Sequence, residues 1–240
     1  MSRILVIGDT HAPCTHPGYL PFCRDLYDKY DCNKVVHIGD VVDNHAISFH
    51  AHHPDMPGPK DEYELALHEV AKWYKVFPRA TVTIGNHDER IVRLAESVDI
   101  PPKFVRDYQD VWQTPKWHWT TDIVIDDVYY FHGTGNGGIH PAYNAMGKML
   151  MSVVMGHIHT ASGLKWKFNP TRRIFGMDVG TGIDERSLAF AYGRHMKQRS
   201  AVSAGVVLDG TPYHEIVPIG PGEKYNRSRF VKKSRKRSKK

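Results

Sequence analysis

One junction recurs four times along this chain and limits what it can fold into. The runs "RILVIG", "KVVHIG", "ATVTIG" and "SVVMG" are followed by Asp9, Asp40, Asn86 and His157. Each run is rich in Val and Ile and has the length of a buried strand. Each glycine permits a sharp turn or a close approach of the backbone to a ligand. Each residue that follows is a metal ligand or a hydrogen-bonding group. Four strands ending this way are expected to converge on one site, where open α/β sheets hold their ligands. The last junction adds a second histidine, His159, two residues after His157. In an extended segment the two rings would point to the same side, an arrangement suited to metal. A surface loop holding two of the sixteen histidines is the alternative reading of that pair alone.

Helical patterns lie between the strands. In residues 61–77, Ala66, Val70, Trp73 and Phe77 form one apolar face. Asp61 and Glu64 resemble a capping box at its start. Weaker helical stretches cover 19–30, 89–97 and 141–151. The segment "DIVIDDVYYFHG" alternates about an Asp-Asp turn and predicts a hairpin. "RRIFGMDVG" and "SAGVVLDGTPYHEIVPIG" predict further strands. With βαβ units first and antiparallel strands after, the expected fold is α/β, a four-layer α-β-β-α sandwich. Two central mixed β-sheets would be flanked by helices.

Charge divides the chain. The net charge is +6, yet residues 224–240 hold ten basic and no acidic residues. Residues 1–222 are expected to form one domain and 223–240 a disordered polybasic tail. Such a tail attracts phosphate polymers and is expected to bind DNA or RNA. An anionic membrane surface or an acidic protein is the other class of partner. No apolar run is long enough for a membrane span. "MSRILVIGDTHAP" is expected to be a strand rather than a signal peptide. Cys14, Cys23 and Cys32 suggest no disulfide framework, so a reducing cytoplasm is expected, with Cys14 a bystander thiol.

The junctions gather many candidate ligands: Asp9 and His11 in "GDTH", Asp40 and Asp43 in "GDVVD", Asn86 to Glu89 in "GNHDE", His132 in "FHG", and His157 and His159 in "GHIH". Carboxylate, amide and imidazole without thiolate suit Mn²⁺, Fe, Zn²⁺ or Ni²⁺. Seven groups are too many for one ion. They suit two divalent ions about 4 Å apart.

The ordered set D-x-H, G-D-x-x-D, G-N-H-D, H and G-H-x-H resembles the calcineurin-like metallophosphoesterase superfamily. The chain length and basic tail would suit a bacterial or phage-type member. The resemblance implies that Asp9, His11 and His159 hold one ion, Asn86, His132 and His157 the other, and Asp40 bridges them. His157 and His159 would then serve different ions. It also implies two divalent ions, most simply Mn²⁺, and in-line attack on phosphorus by a metal-bridging hydroxide. His87 would donate a proton or hydrogen bond to the leaving or non-bridging oxygen, with Asp43 orienting it. The bland alternatives are that Asp43 caps a turn and Asp88 caps the helix beginning near Glu89.

Substrate clues are thinner. Asn44-His45 follows "GDVVD" where protein Ser/Thr phosphatases carry Arg-Gly, which argues against that class. The segment 44–60, with His45, His50, His52 and His53, is expected to be a loop over the site or a plain connection. "GTGNGGIHPAYN" follows His132, and Gly135, Asn136 and Gly137 are candidates for cradling a phosphate at the start of the next helix. Trp112, Trp117 and Trp119 would serve either base stacking or packing. Three readings follow: a phosphoesterase acting on nucleotide or nucleic-acid phosphoesters, a small-molecule phosphomonoesterase, or a non-catalytic nucleic-acid-binding scaffold. A scaffold has no need of His87 or of a complete ligand set, which favours an enzyme.

Overall fold

The structure, a computed structural model, describes residues 1–49, 54–187 and 199–217. Strand β1 (Arg3–Ile7) shows why the chain stacks in layers. Ile4 and Val6 point to one side, Leu5 and Ile7 to the other, and all four are buried. A strand apolar on both faces must be covered on both, so its sheet lies inside the molecule.

That sheet has six strands. β2 (Lys34–His37), β3 (Ala80–Thr83) and β4 (Trp117–Thr120) run parallel to β1 in the order β1-β2-β3-β4. On the other side of β1, β10 (Ser203–Leu208) pairs antiparallel, and β11 (Thr211–Ile216) completes the edge. The second sheet joins β5 (Asp122–Ile125), β6 (Val128–Phe131), β7 (Ser152–Met155), β9 (Arg173–Val179) and β8 (Ser162–Phe168), in that order. Here β6, β7 and β9 are parallel, and the outer pairs are antiparallel. The two-residue hairpin turns Asp126-Asp127 and Asp209-Gly210 have positive φ at each central residue, the twist that tight hairpins require.

Three packed clusters separate the four layers. Ile4, Val6, Val36 and Ile38 of the first sheet meet Tyr130, Val154, Phe175 and Met177 of the second. On the outside of the first sheet lie α1 (Tyr19–Lys29) and α2 (Pro59–Val76). Tyr19, Phe22 and Leu26 pack there with the expected stripe Ala66, Val70, Trp73 and Phe77. Helix α5 (Pro141–Met149) covers β7 and β9 through Ala142, Ala145 and Met146. The α-β-β-α sandwich is present. Among the described residues, one helix rather than several packs on the outer face of the second sheet.

Several local expectations are corrected. Helix α2 starts at Pro59 after Gly58 and has no side-chain cap, so Asp61 and Glu64 form no capping box. Asp61 instead lies in the first turn, where a carboxylate favours the helix dipole. Trp112 and Trp117 are buried in the helix-side core, and Trp119 stacks on Tyr108 at 5.0 Å, so these rings pack rather than offer a face to bases. All three cysteines are free thiols. The basic tail and His50, His52 and His53 lie outside the described residues.

Candidate metal centre

Parallel strands send their C-terminal ends to one edge, and the candidate ligands follow those ends. Asp9 and His11 come after β1, Asp40 and Asp43 after β2, Asn86 and His87 after β3. From the second sheet, His132 comes after β6, and His157 and His159 after β7. The glycines before Asn86 and His157 have a steric reason. A β-carbon at Gly85 would lie closer than 3.0 Å to Asp40 Oδ1, and one at Gly156 closer than 3.0 Å to Asp9 Oδ1. Only an absent side chain lets the carboxylate of a neighbouring strand enter that space. His11, Asp40 and His157 adopt positive φ, at 46°, 46° and 71°. Non-glycine residues held there carry strain of the kind found at functional sites. His157 is therefore not extended, contrary to the i, i+2 expectation, and the two rings of "GHIH" separate.

The resulting geometry has two halves. His159 Nε2 lies 3.1 Å from His11 Nε2 and 3.5 Å from Asp9 Oδ2. His157 Nδ1 lies 3.2 Å from His132 Nε2, which lies 2.9 Å from Asn86 Oδ1. Asp40 Oδ2 touches both halves, 3.5 Å from His11 Nε2 and 3.2 Å from His132 Nε2. All seven expected ligands are thus brought together. His87 joins them from one side, its Nε2 4.0 Å from Asp40 Oδ2. Asp43 Oδ1 lies 2.9 Å from His11 Nδ1 and 3.1 Å from His87 Nδ1. The Asp43 carboxylate contacts two imidazoles rather than capping a turn.

The donor set fits divalent metal. His132 Nδ1 donates to the Ile38 carbonyl at 2.8 Å, leaving the Nε2 lone pair of the neutral ring facing the cluster. His11 Nδ1 faces Asp43 and frees its Nε2 in the same way. Asp9 Oδ1 is buried with no hydrogen-bond partner, an acceptor that a cation would satisfy. Without a cation, protons hold the charges apart. Burial pushes the Asp9 carboxyl up from its ordinary value, against the opposing charge of His132. Burial also disfavours charge on His132, but the Asp40 carboxylate outweighs it and raises this imidazole to about 10. Burial and the neighbouring His132 lower His157 to about 4, and burial with His11 lowers His159 well below the usual imidazole range. Neutral imidazoles are the form that binds metal.

Neighbouring residues show what else the sequence reading missed. Asp88 does not cap α3 (Arg90–Glu96), which has no side-chain cap. It is buried and accepts hydrogen bonds from the amides of Val41, Val42 and Gly85 at 3.0, 3.4 and 2.9 Å. It therefore ties the "GDVVD" turn to the "GNHD" turn, and burial raises its carboxyl to about 7. Arg90 Nη1 donates to the Asp43 carbonyl at 2.6 Å, and Nη2 lies 3.1 Å from His87 Nε2. Spacing three apart on one helix face was the only sequence signal for Arg90 and Arg93. His45 opens a short 3-10 turn, His45–Ile47, and is buried. Glu62 accepts the amides of His45 and Ala46 at 2.7 Å each and clamps that turn. Gly135, Asn136 and Gly137 lie in the largely exposed loop between His132 and α5. The Ala142 amide donates to Asp178, at 3.1 Å. Cys14 accepts a bond from Ser187, and burial pushes its thiol up to about 12, away from nucleophilic use.

Solved structures of similar shape cover most of the chain at low identity. Vps29 from Entamoeba histolytica complexed with Zn²⁺ is 15% identical, with TM-score 0.45, covering 91% of this chain and 94% of that one. Vps29 from Chaetomium thermophilum is 11% identical, with TM-score 0.47, covering 94% of each chain. Yfce, a phosphoesterase from E. coli, is 14% identical, with TM-score 0.40, covering 86% of this chain and 88% of that one. A search of curated proteins gives no match. The model of the calcineurin-like phosphoesterase family matches residues 2–174. With that match over most of its length and a His/Asp cluster built for divalent metal, this chain belongs to the calcineurin-like phosphoesterases, metal-dependent hydrolases of phosphoesters.

Proposed function

We propose that the chain is a two-metal phosphoesterase acting on nucleotide or nucleic-acid phosphoesters, with residues 1–222 as its catalytic domain. The observation that carries this reading is Asp40, one carboxylate within 3.5 Å of an imidazole in each half of the cluster. Asp9, His11 and His159 would hold one ion and Asn86, His132 and His157 the other, with Asp40 shared. When bound, two divalent ions activate water at neutral pH and neutralise phosphoryl oxygens. Mn²⁺ is the ion we favour, because the donors are oxygen and nitrogen without thiolate.

His87 is the proton donor in this reading. Its Nδ1 hydrogen-bonds the Asp43 carbonyl at 2.8 Å, and Nε2 faces Asp40 Oδ2 at 4.0 Å and Arg90 Nη2 at 3.1 Å, so the guanidinium must swing aside for Nε2 to carry the proton. Asp43 orients that ring. Burial and the neighbouring Arg90 oppose charge on His87, but Asp40 and Asp43 outweigh them and raise its pKa above the ordinary value.

A polyanionic substrate is supported by the charge distribution. Residues 128–177 carry five Lys and Arg and no Asp or Glu, and the tail adds ten more cations. Long-range attraction of this kind raises local substrate concentration. The three free thiols suit a reducing, cytoplasmic setting. The test is hydrolysis of bis(p-nitrophenyl) phosphate against p-nitrophenyl phosphate with Mn²⁺, Zn²⁺, Fe²⁺ or Ni²⁺, with His87→Ala as control. Preference for the diester supports a nucleic-acid or nucleotide diesterase, and preference for the monoester a phosphomonoesterase. No turnover with any ion refutes catalysis.

A further inference from the structure

A solvent-open cleft of about 110 Å³ lies beside the cluster, lined by Ile47, Ser48, Phe49, Asn86, Arg90 and Arg93. Its walls differ in chemistry. Ile47 and Phe49 make one side apolar, Arg90 and Arg93 make the other cationic, and Asn86 belongs to the cluster itself. Phe49 is 73% exposed, a large ring left in water immediately after the turn that Glu62 clamps. An aromatic face presented at a site, rather than buried, suits stacking by a planar ligand. The two arginines have different partners. Arg90 is engaged with Asp43 and His87. Arg93, one turn further along α3 on the same face, is exposed and makes no ion pair with a described residue. A guanidinium over an open cleft next to a phosphoester site matches a second phosphate, which it can grip with two parallel hydrogen bonds.

We infer that this cleft is a nucleotide subsite, in which Phe49 stacks one base of the substrate and Arg93 holds the phosphate next to the one cleaved. The inference rests on the phosphoesterase reading and narrows its substrate to nucleotidyl diesters that carry a further phosphate. A small monoester would leave the cleft unfilled. Arg93 and Phe49 are specificity residues here, since neither touches the reacting atoms.

The test uses the full chain loaded with Mn²⁺ and three chromogenic substrates: bis(p-nitrophenyl) phosphate, and the p-nitrophenyl ester of thymidine 5′-phosphate with and without a 3′-phosphate. The unmodified protein should favour the 3′-phosphorylated ester by about ten-fold or more in KM, the scale of one charge-assisted contact. Arg93→Ala should abolish that preference and leave bis(p-nitrophenyl) phosphate turnover unchanged, while Arg93→Lys keeps part of it. Phe49→Ala should raise KM for both thymidylate esters only. Equal KM for the two thymidylate esters, or a preference that survives Arg93→Ala, overturns the subsite while phosphoester hydrolysis stands. If nothing is hydrolysed, the phosphoesterase reading fails separately. The subsite is then judged by calorimetric binding of thymidine 3′,5′-bisphosphate against thymidine 5′-phosphate, with Arg93→Ala expected to erase the difference. A difference unchanged in that variant overturns it.

Discussion

Gly156→Ala puts the strand–glycine–ligand arrangement to its most direct test. Gly156 does not occupy the left-handed region, so alanine can adopt its backbone and the effect is one of space alone. The added methyl would lie 2.9 Å from Ile38 Cγ2 and closer still to Asp9 Oδ1. Ordinary contact between such atoms is about 3.5 Å, so the carboxylate must retreat by roughly 1 Å. Asp9 is fully buried, and its other oxygen is held by the His157 amide at 2.9 Å, so the retreat has little room. Overpacking of this kind costs about 1–3 kcal/mol of stability. The larger effect falls on the ion that Asp9 would hold. A ligand misplaced by roughly 1 Å is expected to lower turnover on the order of 100-fold. After dialysis against limiting Mn²⁺, elemental analysis should find about two ions per wild-type chain and fewer in the variant, with the His132 half retaining its ion. Diester hydrolysis on the same samples gives the rate. A variant that binds two ions with unchanged affinity and turns over at the wild-type rate would show that the glycine is not there to make room for Asp9.

Three further outcomes are expected. His87→Ala should lower kcat for the diester on the order of 100- to 10,000-fold while elemental analysis finds unchanged metal content, as the proposed role of proton donor rather than metal ligand requires. Asp88→Asn keeps one oxygen but replaces the other with an amino group, which must face either the Gly85 amide or those of Val41 and Val42, so urea unfolding should show a loss of roughly 1–3 kcal/mol. Metal loading should release protons, because burial raises Asp9 and Asp40 raises His132 to about 10 in the metal-free site. The bound form needs both deprotonated, so apparent affinity should climb as pH rises from 6 toward that range. Calorimetry in buffers of different ionisation enthalpy measures the release, and a buffer-independent heat would refute it.

Much of the fold was legible because the interior strands are covered on both faces. "ILVI" and "SVVM" read as continuous apolar runs, and β1 and β7 are sandwiched between layers. The two strands that the sequence did not announce, β4 and β8, are sheet edges. "WHWT" is short and mixed, and "SGLKWKF" turns two lysines outward and begins beside a glycine. Edge strands are half-solvated and lose the apolar signal that marks interior ones. The metal cluster was legible because each ligand motif begins within one to three residues of its strand's end. Asp88, Glu62 and Arg90 were not, since each acts on a partner supplied by another turn, and only the folded chain brings those turns together. That His157 and His159 serve different halves was implied by the family resemblance, but its cause was not legible, because it depends on one left-handed residue that no side-chain pattern marks.

The seven groups of the cluster are divided between the two sheets, four from the first and three from the second. Elsewhere among the described residues the sheets meet mainly through apolar contact, as between Ile4, Val6 and Ile38 and Tyr130, Val154 and Met177, with polar contacts such as Ser162 Oγ to Ser203 Oγ and His214 Nε2. Ions coordinated from both sides would act as rivets along one seam of the sandwich. Prising the layers apart would then require releasing metal first, and each ion present at about 100 times its dissociation constant would add about 2.7 kcal/mol to that work. Chelation would thus do more than stop hydrolysis. It would let the sandwich breathe along one border, where amide exchange at the ends of β1, β2, β6 and β7 should quicken together.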